Sequence, residues 1–212
     1  KLDPNSLNVQ LEKFNPFSAQ FMIDKFGKED EREITNLVFK GMDVTQDGHI
    51  LFNAEEYFTT NSMQANSSGG RLMVTRYHYN DIISAKINLE GDVVWARNIN
   101  KTEVTQGDGA YTSYSSYTKG NNTYFFISTA SENPQQMSAE RIMFKQGLSR
   151  NRNIFLIKLD ENGQMNFAKA IDSKEVRLPL MVSRPLIDTA KDEMLFYAKR
   201  GNKKQLIEVS FK

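Results

Sequence analysis

The segment from Asp43 to Ile50, DVTQDGHI, has the spacing closest to that of a known ion-binding loop. It has acidic residues at its first and fifth positions, glycine at the sixth and isoleucine at the eighth, as calcium-binding loops do. Such a loop needs a bidentate glutamate at position twelve, which is Ala54 here, and its third position is Thr45. The flanking residues favour strands, so we interpret the segment as a β-turn.

Glu55 and Glu56 are two adjacent carboxylates, a residue type used in acid–base chemistry, and they lie where the sequence favours a strand. Successive side chains of a strand point to opposite faces, so the pair is not expected to act together on one bond. Either carboxylate is a candidate for a central channel, and neither is assigned a role. The two histidines, His49 and His78, belong to no metal-binding motif, and the sequence has no phosphate-binding loop, nucleophile elbow or zincin helix. The sequence therefore predicts no catalytic residue, metal or cofactor.

Composition narrows the classes of function further. The chain has 212 residues, enough for one domain with a sizeable core or two very small ones. A net charge of +1 provides no basic surface for nucleic acid, and no apolar run is long enough for a transmembrane helix. The absence of cysteine excludes disulfides and thiolate chemistry. The start at Lys1, without Met or signal peptide, leads us to expect a mature or truncated product.

The strongest organisational signal is an internal repeat of about seventy residues. Residues 81–99, DIISAKINLEGDVVWARNI, correspond to residues 153–171, NIFLIKLDENGQMNFAKAI. Aromatic residues and cations also match between the copies. The five identical pairs are Ile82/Ile154, Lys86/Lys158, Gly91/Gly163, Ala96/Ala168 and Ile99/Ile171.

Each copy of the repeat predicts a β-hairpin. An apolar β-rich run meets a polar turn that carries Gly91 or Gly163, where a positive φ has little steric cost. A second, alternating run follows and carries Trp95 in one copy and Phe167 in the other. Because the two aromatic residues occupy the same place in the repeat, we expect both to fill the gap between stacked sheets.

These hairpins resemble those of bacterial β-propeller-repeat proteins, which are common among exported proteins of the Bacteroidetes. The resemblance rests on the pattern D-hydrophobic-K-hydrophobic-D-x-x-G-x-hydrophobic-W-x-K and covers roughly residues 36 to 212. It implies an all-β fold of repeated antiparallel blades, with about three units at 36–100, 108–172 and 177–212. Propellers have about four to eight blades, so three units predict a partial propeller that further blades or a partner complete.

Residues 1–35 precede the repeats and predict the one short helix. Asn15 is a suitable N-cap, Pro16 suits the first helical position and Gly27 is placed to end the helix. Its apolar residues follow helical spacing. We expect this helix to pack against a blade, and a plug for a partner or membrane is the weaker alternative.

Two insertions lie within successive units and predict the binding face. Residues 61–76 are rich in Asn, Ser and Gly and predict a flexible loop, and residues 131–152 include a short helix over 139–147. Loops on a rigid scaffold commonly carry binding function. The candidate binding residues are Tyr77, His78, Tyr79, Arg141, Met143 and Phe144, although strand or core packing is the more frequent role of such aromatic residues.

Together these observations predict a non-catalytic binding or scaffolding protein, exported to the periplasm or cell surface. Its partner is expected to be a protein, or the remaining blades of a longer chain, within a cell-envelope complex. Nucleic acid is not an expected partner. The alternative is a propeller-type glycan hydrolase or lyase that uses carboxylates at the channel mouth.

Overall fold

The computed structural model describes residues 1–65, 67–130, 132, 134–147, 152–172, 174–176 and 178–211. These residues form one α-helix, α1 (Ala19–Phe26), and fourteen strands. The strands are β1 (Leu37–Val44), β2 (Ile50–Ala65), β3 (Arg71–Ile87), β4 (Val93–Ile99), β5 (Lys101–Thr105), β6 (Tyr114–Lys119), β7 (Asn122–Ala130), β8 (Gln135–Gln136), β9 (Ile142–Lys145), β10 (Arg152–Leu159), β11 (Met165–Ile171), β12 (Leu186–Asp188), β13 (Glu193–Arg200) and β14 (Lys203–Ser210).

The strands form three sheets, which follow one another along the chain except that β8 and β9 join sheet 1 from between two strands of sheet 2. Sheet 1 has the order β1-β2-β3-β4. Residues 77–79 of β3 also pair with β5, β5 pairs with β9, and β9 pairs with β8. Sheet 2 has the order β6-β7-β10-β11, and sheet 3 has the order β12-β13-β14. All pairings are antiparallel except that of β5 with β9. The prediction of an all-β chain with one short helix is confirmed.

Three apolar clusters pack the helix and the three sheets against one another. Alternate residues of β7 point to opposite faces, so Phe125 packs between sheets 1 and 2 while Phe126 packs between sheets 2 and 3. The third cluster lies on the other face of sheet 1, where Phe21 and Met22 of α1 cover Ile83. The order of layers is therefore α1, sheet 1, sheet 2 and sheet 3.

The helix begins later than the sequence predicted. Its N-cap is Ser18, whose hydroxyl accepts a hydrogen bond from the Phe21 amide at 3.3 Å. Asn15 instead donates its side-chain amide to the carbonyl of Gly91 at 2.8 Å, so the prediction of Asn15 as the N-cap is wrong. Gly27 ends the helix with a φ of 77°, as predicted.

The two insertions are strands where the sequence predicted a loop and a helix. Residues 61–65 and 71–76 are strand residues of a long β2–β3 hairpin, in which Met63 pairs with Met73, and Asn66 lies outside the described residues. The predicted helix at 139–147 is also wrong, because Ile142–Lys145 forms β9 and pairs in parallel with β5. That pairing is a long-range contact, which local propensity cannot show. Residues 131, 133 and 148–151 of the second insertion lie outside the described residues.

The two repeat hairpins have the predicted strands and turns but differ in register. Trp95 opposes Lys86, whereas Phe167 opposes Ile157 and not Lys158, the repeat equivalent of Lys86. The difference arises because the bulge lies near the turn in the first hairpin and at the far end of the second. A shift of one residue moves side chains to the other face of a sheet.

The register shift changes the environment of the second aromatic residue. Trp95 is buried between sheets 1 and 2, but Phe167 points back into the same interface, with its ring centroid 5.7 Å from that of Phe144. Phe167 remains 43% exposed. The expectation that both aromatic residues fill equivalent gaps is therefore wrong.

Candidate functional site

The main candidate site is a cleft of about 490 Å³ where the first strands of the three sheets approach one another. Strands β1, β6 and β12 each stand at the end of a sheet and pair with one neighbour. The cleft lies against all three of them, so each sheet contributes to one shared surface. Its lining residues are Lys40, Tyr79, Gly109, Ser113, Tyr114, Ser115, Ser116, Ser183, Arg184, Pro185 and Ile187.

A β-bulge brings Lys40 into the cleft. The register of β1 against β2 shifts between Phe39 and Gly41, which leaves Lys40 without a paired residue. Bulges of this kind redirect a side chain. The Lys40 ammonium lies 3.2 Å from the carboxylate of Glu55 and 5.9 Å from the ring centroid of Tyr79.

A fully buried ionic cluster lies behind the cleft. The ammonium of Lys101 lies 2.9 Å from Glu55 Oε1 and 3.0 Å from Glu103 Oε2, and it donates a hydrogen bond to the carbonyl of Tyr79 at 2.8 Å. Burial raises the pKa of Glu103 and outweighs the opposing effect of Lys101. Burial alone would lower the pKa of Lys101, but the two carboxylates outweigh it and raise that pKa. The cluster thus retains the ammonium charge at the sheet junction.

Ser113 connects this cluster to the cleft wall. Its hydroxyl donates to Glu55 Oε2 at 2.6 Å and its backbone amide donates to Glu103 Oε2 at 2.8 Å. Its φ of 68° lies in the left-handed region, which residues other than glycine seldom adopt. The two hydrogen bonds to carboxylates offset this conformational cost and fix the start of β6.

The adjacent carboxylates point in opposite directions, as predicted. Glu55 is 0% exposed and belongs to the cluster behind the cleft. Glu56 lies 3.1 Å from Lys25 of α1, on the helix side of sheet 1. A substrate can reach the Glu55 carboxylate only if the cluster opens.

A second ionic network fastens α1 to sheet 1. Asp24 accepts two hydrogen bonds from the Arg97 guanidinium, at 2.6 Å and 3.0 Å. Lys25 lies 2.6 Å from Asp81, which also accepts a hydrogen bond from the Lys101 backbone amide at 3.1 Å. Because Asp24, Lys25 and Asp81 are all buried, this network anchors the helix to sheet 1.

The predicted binding residues Tyr77, His78 and Tyr79 lie on β3. Because successive side chains of a strand point to opposite faces, the three do not share one surface. Tyr77 and Tyr79 pair with residues of β5, and of these two only Tyr79 lines the cleft. His78 stacks on Phe58 with ring centroids 4.5 Å apart and shares a hydrogen bond of 2.9 Å with Thr60. These residues therefore lie on a strand rather than on a loop.

The other predicted binding residues, Arg141, Met143 and Phe144, lie in β9 or directly before it. β9 belongs to the same sheet as β3 and is separated from it by β5. Phe144 is 1% exposed and belongs to the core between sheets 1 and 2. Arg141 and Met143 are half-buried, and neither lines the cleft. Of the six predicted binding residues, only Tyr79 lines the cleft.

The sequence interpretation missed Lys40, Lys101, Glu103 and Ser113. One signal was present in the sequence, since a lysine and a glutamate two positions apart share a strand face, as Lys101 and Glu103 do. Nothing local indicates that this face is buried. The bulge at Lys40 and the left-handed Ser113 arise from contacts between distant segments.

The segment from Asp43 to Ile50 is a turn between strands, as predicted. Asp47 lies 2.8 Å from the ammonium of Lys86 and 3.0 Å from His49, and these hydrogen bonds, that of Lys86 foremost, hold the pKa of the Asp47 carboxyl well below its usual range. Among the described residues, no three His, Asp or Glu side chains come together as a metal site would require. No helix in the part of the chain that the structure describes has the length and apolar character needed to cross a membrane.

In comparisons with known proteins, no family model matches this chain, and no curated protein or solved structure matches it.

Proposed function

We propose that this chain is a non-catalytic binding or scaffolding module of the β-propeller type, which docks through sheet 3 onto further β-structure. A partner protein or additional blades of a longer chain supply that structure. The resemblance of the repeat hairpins to those of exported bacterial proteins supports a place in a cell-envelope assembly, in the periplasm or at the cell surface.

The open edge of sheet 3 is the observation that carries this proposal. Sheets 1 and 2 each have a core of four strands in the order β1-β2-β3-β4 and β6-β7-β10-β11, whereas sheet 3 has three. Within the described chain, β14 pairs only with β13, so its outer backbone groups have no strand partner. An unpaired edge of this kind is a template for strand addition.

The outer face of sheet 3 is also suited to packing. The inner face carries Met194 and Phe196, which are fully buried against sheet 2. Leu186 and Leu206 point the other way and are 71% and 62% exposed, with the half-buried Leu195 and Tyr197 beside them. Glu208 and Lys204 share this face, and covering its four apolar side chains with a further sheet gains free energy.

The opposite end of the stack is closed. There α1 covers sheet 1, and the ionic network around Asp24 and Asp81 fastens it. The two ends of the stack thus differ in chemistry, with one sealed by a helix and the other unsealed. This asymmetry favours a module that extends in one direction.

Cross-linking mass spectrometry on the assembly isolated from the native host tests the proposal. Lys203 and Lys204 start β14 and Lys199 precedes it on β13, so all three report on the open edge. We expect their amines to form cross-links to further β-structure, either in another protein or in additional residues of the same chain. Lys13 and Lys28, near the helix end, are the internal comparison and should give fewer such links.

A matched pair of variants supplies the control. Leu206→Asp places a charge on the proposed docking face, whereas Leu89→Asp changes an equally exposed leucine, 69% exposed, in the β3–β4 turn. The proposal expects L206D to lose the cross-links at Lys203 and Lys204 and L89D to keep them. Equal cross-linking in both variants, or links confined to the helix end, would contradict it.

A further inference from the structure

We propose that the cleft between the three sheets binds a small hydroxylated anion, of which a uronic acid and a sugar phosphate are the simplest forms. This inference is separate from the docking of sheet 3, because the cleft lies at the first strands of the sheets and the docking face lies at the end of the stack.

The charge of the cleft lining favours an anion. Its two charged lining side chains, among the described residues, are Lys40 on β1 and Arg184 in the segment just before β12. Lys40 is held by Glu55 behind the wall, so part of its charge is already compensated. Arg184 pairs with Asp108 at 3.2 Å, with both side chains largely exposed at 65% and 49%.

Arg184 is therefore the principal expected contact for the anion. An exposed ion pair such as that with Asp108 contributes little, since water screens both charges. A guanidinium can exchange such a partner for a carboxylate or phosphate that it binds with two parallel hydrogen bonds. Lys40 lies across the same cleft and adds a second positive charge.

Hydroxyl groups on the cleft wall favour a ligand that carries its own hydroxyls. Ser113, Ser115, Ser116 and Tyr114 lie next to one another along the start of β6. Among them, Ser116 is half-buried, as is Ser183, which lines the cleft from the turn before β12. A serine hydroxyl both donates and accepts hydrogen bonds, so these side chains can pair with the hydroxyl groups of a ligand.

The size of the cleft fits a monosaccharide derivative. Its volume of about 490 Å³ lies within the range that small-molecule sites usually have. The ionic cluster of Lys101 holds Ser113 in place, so the wall is formed before a ligand arrives.

Isothermal titration calorimetry on the full chain at low ionic strength tests the proposal with four probes. D-glucuronate and glucose 6-phosphate represent carboxylate and phosphate forms of the anion. Glucose has the hydroxyls without the charge, and inorganic phosphate has the charge without the hydroxyls. We expect at least one of the two sugar anions to bind with a Kd of roughly 1 mM or tighter, and glucose and inorganic phosphate to bind at least about tenfold more weakly.

Two variants locate the binding. Arg184→Gln removes the principal cation without touching the buried cluster, and we expect roughly tenfold weaker binding of the sugar anion. Arg71→Gln makes the same change of charge at the far end of the β2–β3 hairpin and should leave the Kd unchanged. The proposal is overturned if neither sugar anion binds, if inorganic phosphate binds equally well, or if R184Q binds like the unaltered chain.

Discussion

The indole ring of Trp95 in sheet 1 lies directly on Gly163, in the turn between β10 and β11 of sheet 2. A Cβ atom added to Gly163 would stand 2.8 Å from Cγ and Cδ2 of the indole. The indole Nε1 also donates a hydrogen bond to the carbonyl of Glu161 at 3.0 Å. The turn glycine of the second repeat is therefore a docking point for the tryptophan of the first, and it joins sheets 1 and 2.

Gly163→Ala is expected to destabilise the chain more than an ordinary turn substitution. Gly163 has a φ of 75° and no room for a methyl group, whereas Gly48 has a φ of 81° and no atom within 4 Å of an added Cβ. G48A therefore measures the conformational cost alone, about 1 kcal/mol, and G163A should cost at least about 1 kcal/mol more because the indole must move. Urea unfolding of both variants gives the difference in free energy of unfolding. Equal losses would show that the Trp95 contact is unimportant.

Lys101→Met is expected to be strongly destabilising. It leaves the carboxylates of Glu55 and Glu103 buried without their shared ammonium, and breaking a buried ion pair costs about 3 to 5 kcal/mol. Adding Glu103→Gln to K101M removes one of the stranded charges and should recover part of that loss. The free energies of unfolding of the single and double variants measure this coupling. A double variant that is less stable than K101M would contradict the account.

The hydrogen bond between Tyr117 and Asp192 predicts a loss of stability at alkaline pH. The phenol donates to the Asp192 carboxylate at 2.6 Å and links β6 to the turn before β13, and this bond, together with burial, raises the pKa of Tyr117 to about 12. The protonated phenol is thus favoured in the folded state, so its contribution is present below about pH 10 and disappears as the pH rises through about 12.

Tyr117→Phe should therefore lower the urea midpoint at neutral pH and flatten its fall between about pH 10 and 12. Tyr77→Phe, on β3, is the matched control and should keep the alkaline profile of the unaltered chain. An alkaline profile that Y117F leaves unchanged would contradict this assignment.

Asp24→Asn is expected to loosen α1 from sheet 1. The substitution leaves the guanidinium of Arg97 without its paired carboxylate and should cost about 3 kcal/mol. Hydrogen exchange should accelerate first in the amides of Ala19–Phe26, while those of β7 remain protected. Asp30→Asn changes an aspartate whose partner is the surface residue Arg32, and it should leave the helix protected. Equal exchange in both variants would show that the Asp24 network does not hold the helix.

The repeat hairpins were predictable because their signals are local. Gly91 and Gly163 mark turns that require a positive φ, and the alternating runs beside them determine the strands. The register of the second hairpin was not predictable, since it depends on a bulge between Ile154 and Phe155 that only the packed sheets specify.

The structure of the two insertions was predicted wrongly because it depends on pairing with other strands, which local composition does not show. Residues 61–65 and 71–76 belong to a segment of loop-like composition, yet their pairing with each other across the β2–β3 hairpin makes them strand. β9 is a strand because β5 offers it a parallel neighbour. The cleft was missed for the same reason, because Lys40, Ser113 and Arg184 are far apart in sequence and carry no shared motif.

The central claim is that sheet 3 docks onto further β-structure, and the mass of the protein isolated from its native host tests it most directly. Gel filtration with light scattering, together with the intact mass of each component, gives both the assembly and the length of the chain. The account predicts a particle heavier than the 24.3 kDa of this chain, made of a longer polypeptide or of co-purifying partners. A stable particle of 24.3 kDa, with sheet 3 exposed to solvent, would contradict it.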